Sequence, residues 1–354
     1  NKKKQNYKKI ELYNYEINLN LKNLKKYKDI FNNNVIFIPI EFSKEKIIFF
    51  DGKKYIVSIN DANLNLRHLN DSIKATLKGK FLNDNLYVNL ESEKIDSDLS
   101  TNILFKMSNF NLLVKANLLS SKNNNSVNGN ALIKKDKNKI TAIFDYDGQS
   151  FLISKSNLRN AFADGEIEGK ITILPYFNFD LDMNLSSFNF TKLYNYFLFL
   201  DKKERKKIFK INNKINGKLN FSSEKVYSKY NLVNSVESRL IFNNGNISIE
   251  QLLISLGKLG AVDVLGKINN DKKFSNFKFE SNIFVDNQKK FLSKFGIYGK
   301  KNISPNLFLS GSFDLDNTRL TFYEINDENK LNEEDVNYVE KEFNYIMLDD
   351  GYNS

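Results

Sequence analysis

The stretch Phe177–Leu185 reads FNFDLDMNL. Phe177, Phe179, Leu181, Met183 and Leu185 alternate with Asn178, Asp180, Asp182 and Asn184. Successive side chains of a strand point to opposite faces, so this spacing predicts a strand with one apolar and one wetted side. The same alternation recurs in Tyr13–Leu21, Leu86–Leu90, Ile167–Ile173, Ile215–Phe221, Phe277–Val285 and Leu307–Leu315. Turn signals separate such runs at Asp51-Gly52, Asn83-Asp84-Asn85, Asn123–Ser126 and Asn244-Gly245. Repeated hairpin chemistry predicts a mainly antiparallel sheet. The fold class expected is mainly β: an elongated, curled antiparallel sheet, a repeating β-groove, with a few short helices. Helical spacing is confined to Thr191–Leu200 (Thr191 as cap), Gln288–Phe295 and Glu333–Met347, the last with three acids in its first turn.

An internal repeat organises the second half. INGKLNFSSEKV (Ile215–Val226) aligns without a gap on LSGSFDLDNTRL (Leu309–Leu320), 94 residues later. Each copy follows two strands and a helix, so the predicted unit is strand, strand, helix, strand, used twice, with Gly217 and Gly311 in equivalent strands. A mid-strand glycine also recurs at Gly79, Gly129, Gly169, Gly217, Gly266 and Gly311. Gaps of 40 to 50 residues predict an array, and the glycines are expected to let a long sheet curl. Three segments are expected: an N-terminal β-groove segment (1–160), a second (161–325), and a C-terminal helix and tail (326–354).

Composition narrows the function. The chain has 354 residues, no cysteine and one histidine, His68. That excludes a disulfide framework, thiolate metal sites and mechanisms that need two imidazoles. The net charge is +11, yet only five of 53 cations are arginine and 55 residues are asparagine. Phosphate and guanine readers favour the guanidinium fork, so this balance reads as codon bias and no nucleic-acid partner is expected. No apolar run reaches the length of a membrane span. The chain begins at Asn1, and is expected to be part of a longer protein whose anchor lies upstream.

Tests for chemistry give no site. Gly260–Lys267 (GAVDVLGK) has the wrong glycine spacing for a phosphate loop and reads as a strand. The pairs Asp145/Asp147, Asp180/Asp182 and Asp314/Asp316 lack the further oxygens a calcium loop needs, and are expected on solvated faces. His68 has no nucleophile elbow to serve and is expected at a surface or an edge strand. The basic run Asp201–Lys207 (DKKERKK), after an aromatic stretch, reads either as a lipid-headgroup contact or as a solvated helix end and loop. No enzyme, metal or cofactor is expected.

Three quoted stretches carry a family resemblance: FDLDMNLSSFNF (Phe179–Phe190), KINGKLNF (Lys214–Phe221) and LIFNNGNISIEQLLISLGKLGAVDVLGKIN (Leu240–Asn269). In their order and pattern, the residues from Ala161 to Phe322 resemble the AsmA family, which is related to TamB and to bridge-like lipid-transfer proteins. The resemblance implies an inner-membrane anchor, a periplasmic location, phospholipid as ligand, and a role in maintaining the outer membrane. Helices are too few to cover an apolar sheet face over its length, and acyl chains suit such a trough. The expected groove lining is Ile167, Ile171, Phe177, Phe179, Leu181, Leu219, Phe221, Phe277 and Phe279. Envelope protein partners are left unassigned. The rival readings are a structural or adhesive repeat protein whose modules close around their own cores and bind a protein, and a polysaccharide-acting β-solenoid enzyme.

Overall fold

The computed structural model describes residues 10–13, 16–23, 40–69, 72–96, 98–121, 127–173, 176–209, 211–228, 231–270, 275–294, 298, 304–327 and 329–349. Phe295 and the loop 123–126 lie outside these residues. The protein is mainly β, built of curled, unclosed and mostly antiparallel sheet with few short helices. It divides into two compact units, one of residues 1–158 and 172–176, the other of 159–171 and 177–354. The C-terminal helix counts with the second unit rather than standing as a third segment.

In the first unit, β1 (Ile10–Tyr13) and β2 (Glu16–Asn20) both run parallel to β3 (Ile40–Asp51). A meander follows: β4 (Lys54–Leu69), β5 (Ser72–Phe81), β6 (Asp84–Ile95), β7 (Asp98–Met107), β8 (Leu112–Ser120), β9 (Val127–Lys135) and β10 (Asn138–Tyr146). Each pairs antiparallel with the strand before it. β11 (Ser150–Arg159) closes the run, with Phe151 stacked on Tyr146 at 4.5 Å between ring centres. The tightest core is Ile47, Ile59, Ala62, Leu86 and Met107.

The hairpins form where turn chemistry predicts, with two shifts of one residue. Asn244-Gly245 has positive φ at both positions, as a two-residue hairpin needs. Asp51 pairs with Lys54, so that loop is Gly52-Lys53, not Asp51-Gly52. At the third site the loop is Leu82-Asn83, not Asn83–Asn85. Asp84 is instead the first residue of β6 and is buried, its carboxylate accepting the backbone N–H groups of Asn109 (2.8 Å) and Phe110 (3.0 Å). That pair of bonds ties the β7–β8 turn to the β5–β6 turn.

The second unit opens with β12 (Ala163–Thr172) and β13 (Asn178–Asn189), then helices α1 (Phe190–Phe199) and α2 (Lys202–Phe209). β14 (Asn216–Ser223), β15 (Val226–Tyr227), β16 (Ser235–Asn243), β17 (Asn246–Ser255), β18 (Gly260–Asn270) and β19 (Ser275–Val285) follow. The chain then forms α3 (Gln288–Lys294), β20 (Asn306–Asp314), β21 (Arg319–Asp327), β22 (Asn329–Lys330) and α4 (Glu333–Phe343), ending in a π-turn over Asn344–Asp349.

The order strand, strand, helix, strand does occur twice, and the phosphate-loop-like GAVDVLGK is β18. The two copies differ in direction. β13 and β14 are parallel, Phe179 facing Gly217, whereas β19 and β20 are antiparallel, Phe279 facing Gly311. A parallel pair needs a crossover of a dozen residues or more. Residues 190–215, with two helices, supply it in the first copy.

That second helix corrects the reading of DKKERKK as a helix end and loop. Glu204 N–H donates to Asp201 Oδ1 (2.7 Å) and Asp201 N–H donates to Glu204 Oε2 (3.2 Å), a reciprocal cap that restarts the helix. The cap of α1 is Asn189, whose side chain accepts from Lys192 N–H, not Thr191.

The last long strand would leave an open edge, a template for unwanted pairing. Here side chains occupy it. The Asn344 amide accepts from Leu320 N–H and donates to Leu320 C=O, both at 2.8 Å, imitating a strand partner. Glu340 Oε2 accepts Phe322 N–H at 3.0 Å.

Candidate functional site

Strand register assembles the expected lining residues on one face of the second unit. One row runs Phe179, Gly217, Phe242, Ile247, Ile268, Phe277, Phe313, Leu320 across seven pairings. The next runs Leu181, Leu219, Leu240, Ile249, Gly266, Phe279, Gly311, Phe322. Phe221 continues a third row beside Met183. On β12, Ile167 and Ile171 share the parity of Gly169, which lies against Leu181. Phe177, just before β13, is exposed, with its ring 6.1 Å from that of Phe179.

The recurring glycines seat aromatic rings on this face. A Cβ at Gly217 would come within 2.6 Å of the Phe179 ring, and that ring meets Phe242 at 5.3 Å across the glycine. A Cβ at Gly311 would stand 3.1 Å from Phe279 Cζ, and one at Gly266 2.9 Å from Phe277 Cζ. In the first unit Phe144 covers Gly129 the same way, at 2.7 Å. Four of the six recurring glycines, Gly129, Gly217, Gly266 and Gly311, therefore lie against an aromatic ring, whereas Gly79 lies against Ile59 and Gly169 against the backbone of β13. At Gly169 (φ +121°) and Gly217 (φ +156°) backbone conformation also favours glycine.

Helices cover part of this second face. Leu331, Val336 and Leu348 pack on Leu320, Phe322 and Ile325, and Phe343 meets Phe322 edge-on at 5.9 Å. Phe197 of α1 approaches Phe313 at 6.2 Å. α2 is fastened to the β20–β21 turn: Lys202 Nζ donates to Asn317 Oδ1 (2.6 Å), Arg205 Nε to Asp316 C=O (3.1 Å), and Lys206 Nζ stands 3.6 Å from the Asp316 carboxylate. Asp316, expected to be solvated, is 1% exposed. The β20–β21 turn places it beneath α2. Tyr194 Oη donates to Met347 C=O, joining α1 to the π-turn.

The first unit carries an equivalent face that periodicity could have located. Register aligns Leu64, Leu77, Val88, Phe105, Val114, Ile133 and Ile140 in one row. Beside it run Leu66, Ala75, Leu90, Ile103, Ala116, Ala131 and Ala142. A third row runs Ile73, Ser92, Thr101, Leu118, Gly129, Phe144, with Ser92 and Thr101 sharing a hydroxyl hydrogen bond of 2.8 Å. Ala116, Ala131 and Ala142 make a run of small side chains within these rows. Among the described residues of this unit the only helix is the three-residue turn Leu21–Asn23, so no described helix lies on this face.

The opposite faces are polar and laced by amides. Asn65 donates to Glu41, Thr76 to Asn89, Asn117 to Asn130, Asn128 to Asp145 and Asn220 to Asp182, all between neighbouring strands. Such pairs stabilise a sheet by about 0.2–1 kcal/mol each, so much of the asparagine is structural. A cavity of about 490 Å³ opens on the polar face of β3–β6, lined by Glu41, Arg67, Lys74 and Glu91 among others. Asp147 and Asp314 cap turns through backbone N–H groups, and no group of three or more metal-ligating side chains occurs among the described residues. The backbone of His68 pairs with Ile73, beyond the last β3–β4 pairing at Leu66. Its side chain lies outside the described residues.

The titrating groups displaced from their ordinary values sit on separate strands and turns. Lys80 is raised by its hydrogen bond with Asp61, and Lys225 by its bond with Tyr227. Asp136 is lowered by Lys135 and Asn111, and Tyr146 is raised by burial. None forms an acid–base pair of the kind catalysis uses. A scan against protein-family models finds no match for this chain, and searches of curated proteins and of solved structures find none either.

Proposed function

We propose that this chain is a non-enzymatic, AsmA-like envelope protein that holds phospholipid acyl chains on its apolar sheet faces. The observation that carries the reading is the first unit's face, apolar through seven strands with no described helix over it. A soluble sheet must bury such a face. Acyl chains suit it, because burial gains roughly 0.8 kcal/mol per CH₂. The run of small side chains at Ala116, Ala131 and Ala142 is the proposed path of an acyl chain across the strands. The order of strands and glycines from Ala161 to Phe322 adds the family resemblance. With it come the proposals of a periplasmic location, an inner-membrane anchor outside this chain, and service to the outer membrane. In the second unit, the lining from Ile167 to Phe279 is proposed as a continuation of lipid binding where α1 and α4 leave it accessible.

The rival reading, a structural or adhesive protein with closed cores and a protein partner, draws on the second unit, where α4 packs over Leu320, Phe322 and Ile325. Native mass spectrometry after mild extraction separates the two. Phospholipid retained by the chain is the expected result, and a lipid-free chain that folds fully would overturn the proposal.

A further inference from the structure

Helix α1 is apolar on both sides. Tyr194, Phe197 and Leu198 face inward and are partly buried, and its buried-side contacts reach Phe313 and Met347. Leu193, Tyr196 and Phe199 face outward on adjoining turns, exposed by 36%, 48% and 76%, with one side of the Tyr196 ring 5.3 Å from Phe162. An ordinary surface helix turns its charged side to water, so this outer face is unusual. Lysines flank it at both ends, Lys192 in its first turn and Lys203 just beyond its last, both exposed. The nearby acids Asp201 and Glu204 are committed to the reciprocal cap between the helices. The outward aim is built in, because Lys202, Arg205 and Lys206 fasten α2 to the β20–β21 turn and Tyr194 fastens α1 to the π-turn. The π-turn itself exposes Tyr345 and Ile346.

We propose that the outer face of α1 docks on the surface of an anionic lipid bilayer, Leu193, Tyr196 and Phe199 entering the headgroup boundary and the flanking lysines meeting lipid phosphates. Charge complementarity selects this occupant: aromatic side chains bordered by lysine match an interface that is apolar beneath and negative above. The contact is distinct from the groove and from any anchor outside this chain. It can hold or fail independently of whether the sheet faces carry lipid.

The test is flotation of the 354-residue chain with vesicles of phosphatidylglycerol and phosphatidylcholine, or of phosphatidylcholine alone. Binding is expected to the mixed vesicles, and to weaken several-fold when salt rises from about 0.05 M to about 0.5 M. The triple variant Leu193→Ser, Tyr196→Ser, Phe199→Ser is expected to lose at least about tenfold in vesicle affinity. Lys192→Glu with Lys203→Glu is expected to lose the preference for phosphatidylglycerol. The only ring contact these variants remove is that of Tyr196 with Phe162, so they are expected to melt close to the parent and to retain the parent's complement of copurified lipid. Leu119→Ser, at an exposed apolar site in the first unit, should leave binding unchanged. Absence of vesicle binding by the parent, equal binding to phosphatidylcholine alone, or full binding by the triple variant would each overturn the proposal. Unchanged copurified lipid in a variant that no longer floats would separate this surface from the groove.

Discussion

The two units solve one problem differently. Both present a sheet with a polar face laced by asparagine and an apolar face set with rings over glycines. In the second unit α1 and α4 lie on part of the apolar face, and Leu320, Phe322 and Ile325 are buried beneath α4. In the first unit no described helix does so: the face closes on itself at one end, around Ile47, Ile59, Ala62, Leu86 and Met107, and Leu77, Val88 and Phe105 pack against that cluster while staying partly accessible. Sheet chemistry alone thus does not decide whether a face becomes a core. The second unit buries part of its face under helices, and the first buries part of its own by strand packing alone.

Charge placed on the two faces should therefore have opposite consequences. Phe322→Asp puts a carboxylate under α4 with no partner and is expected to cost about 3–5 kcal/mol, enough to unfold the second unit. Circular-dichroism melting would show a lost or greatly lowered transition, and a normal melt would erase the distinction between the units. Leu181→Asp, half-buried on β13 away from α4, should leave melting nearly normal while reducing copurified lipid, with Asp182→Leu on the other face as control. If Leu181→Asp unfolds the chain, that end of the face is a closed core.

The ring seats sharpen the likeness between units. Gly129→Ala, where a methyl would meet the Phe144 ring, and Gly217→Ala, where it would meet Phe179 and the backbone φ of +156° adds strain, should each cost about 1–3 kcal/mol. Denaturant titration that found either neutral would dissociate the glycine period from aromatic packing. A smaller effect belongs to the second unit alone. Asn344→Ala removes the side chain that pairs with the edge of β21, at about 1–2 kcal/mol. It should also promote concentration-dependent association through the freed edge, read by light scattering. The smallest effect is Asp201→Ala, which breaks the α1–α2 cap and should lower stability by about 1 kcal/mol.

Much of this was legible because period-two alternation survives translation into register. Asn178–Leu185 of FNFDLDMNL lie in β13, and residues distant in sequence, Phe179 and Phe277 among them, fell into one row because the pairings through Phe242, Ile247 and Ile268 stay in register on one side of the bulge in β17. The glycines were legible as a period but not as seats, since a ring's position depends on the neighbouring strand. Strand direction was hidden too: Gly217 and Gly311 occupy equivalent positions, yet only the length of chain before Gly217 allows a parallel pair. α2 was missed although Asp201 and Glu204 carry the capping-box spacing, because a lysine-rich run offers no apolar stripe to mark a helix. Asp316 was misplaced because period-two logic ends at the turn, where α2 arrives from more than a hundred residues earlier in sequence. The first unit's face was legible in LYVNL and its neighbours. The attention drawn by the repeat placed every expected lining residue in the second unit instead.

The central claim is that the uncovered face of the first unit holds acyl chains. Ile103 lies mid-strand in β7 on that face, between Leu90 and Ala116, and is partly buried. Native mass spectrometry of Ile103→Asp beside the parent tests the claim most directly, with Lys115→Asp on the polar face as the matched control. The account predicts that Ile103→Asp melts close to the parent and carries markedly less phospholipid, while Lys115→Asp carries as much as the parent. Parental lipid content in Ile103→Asp, or no phospholipid on the parent itself, would contradict it.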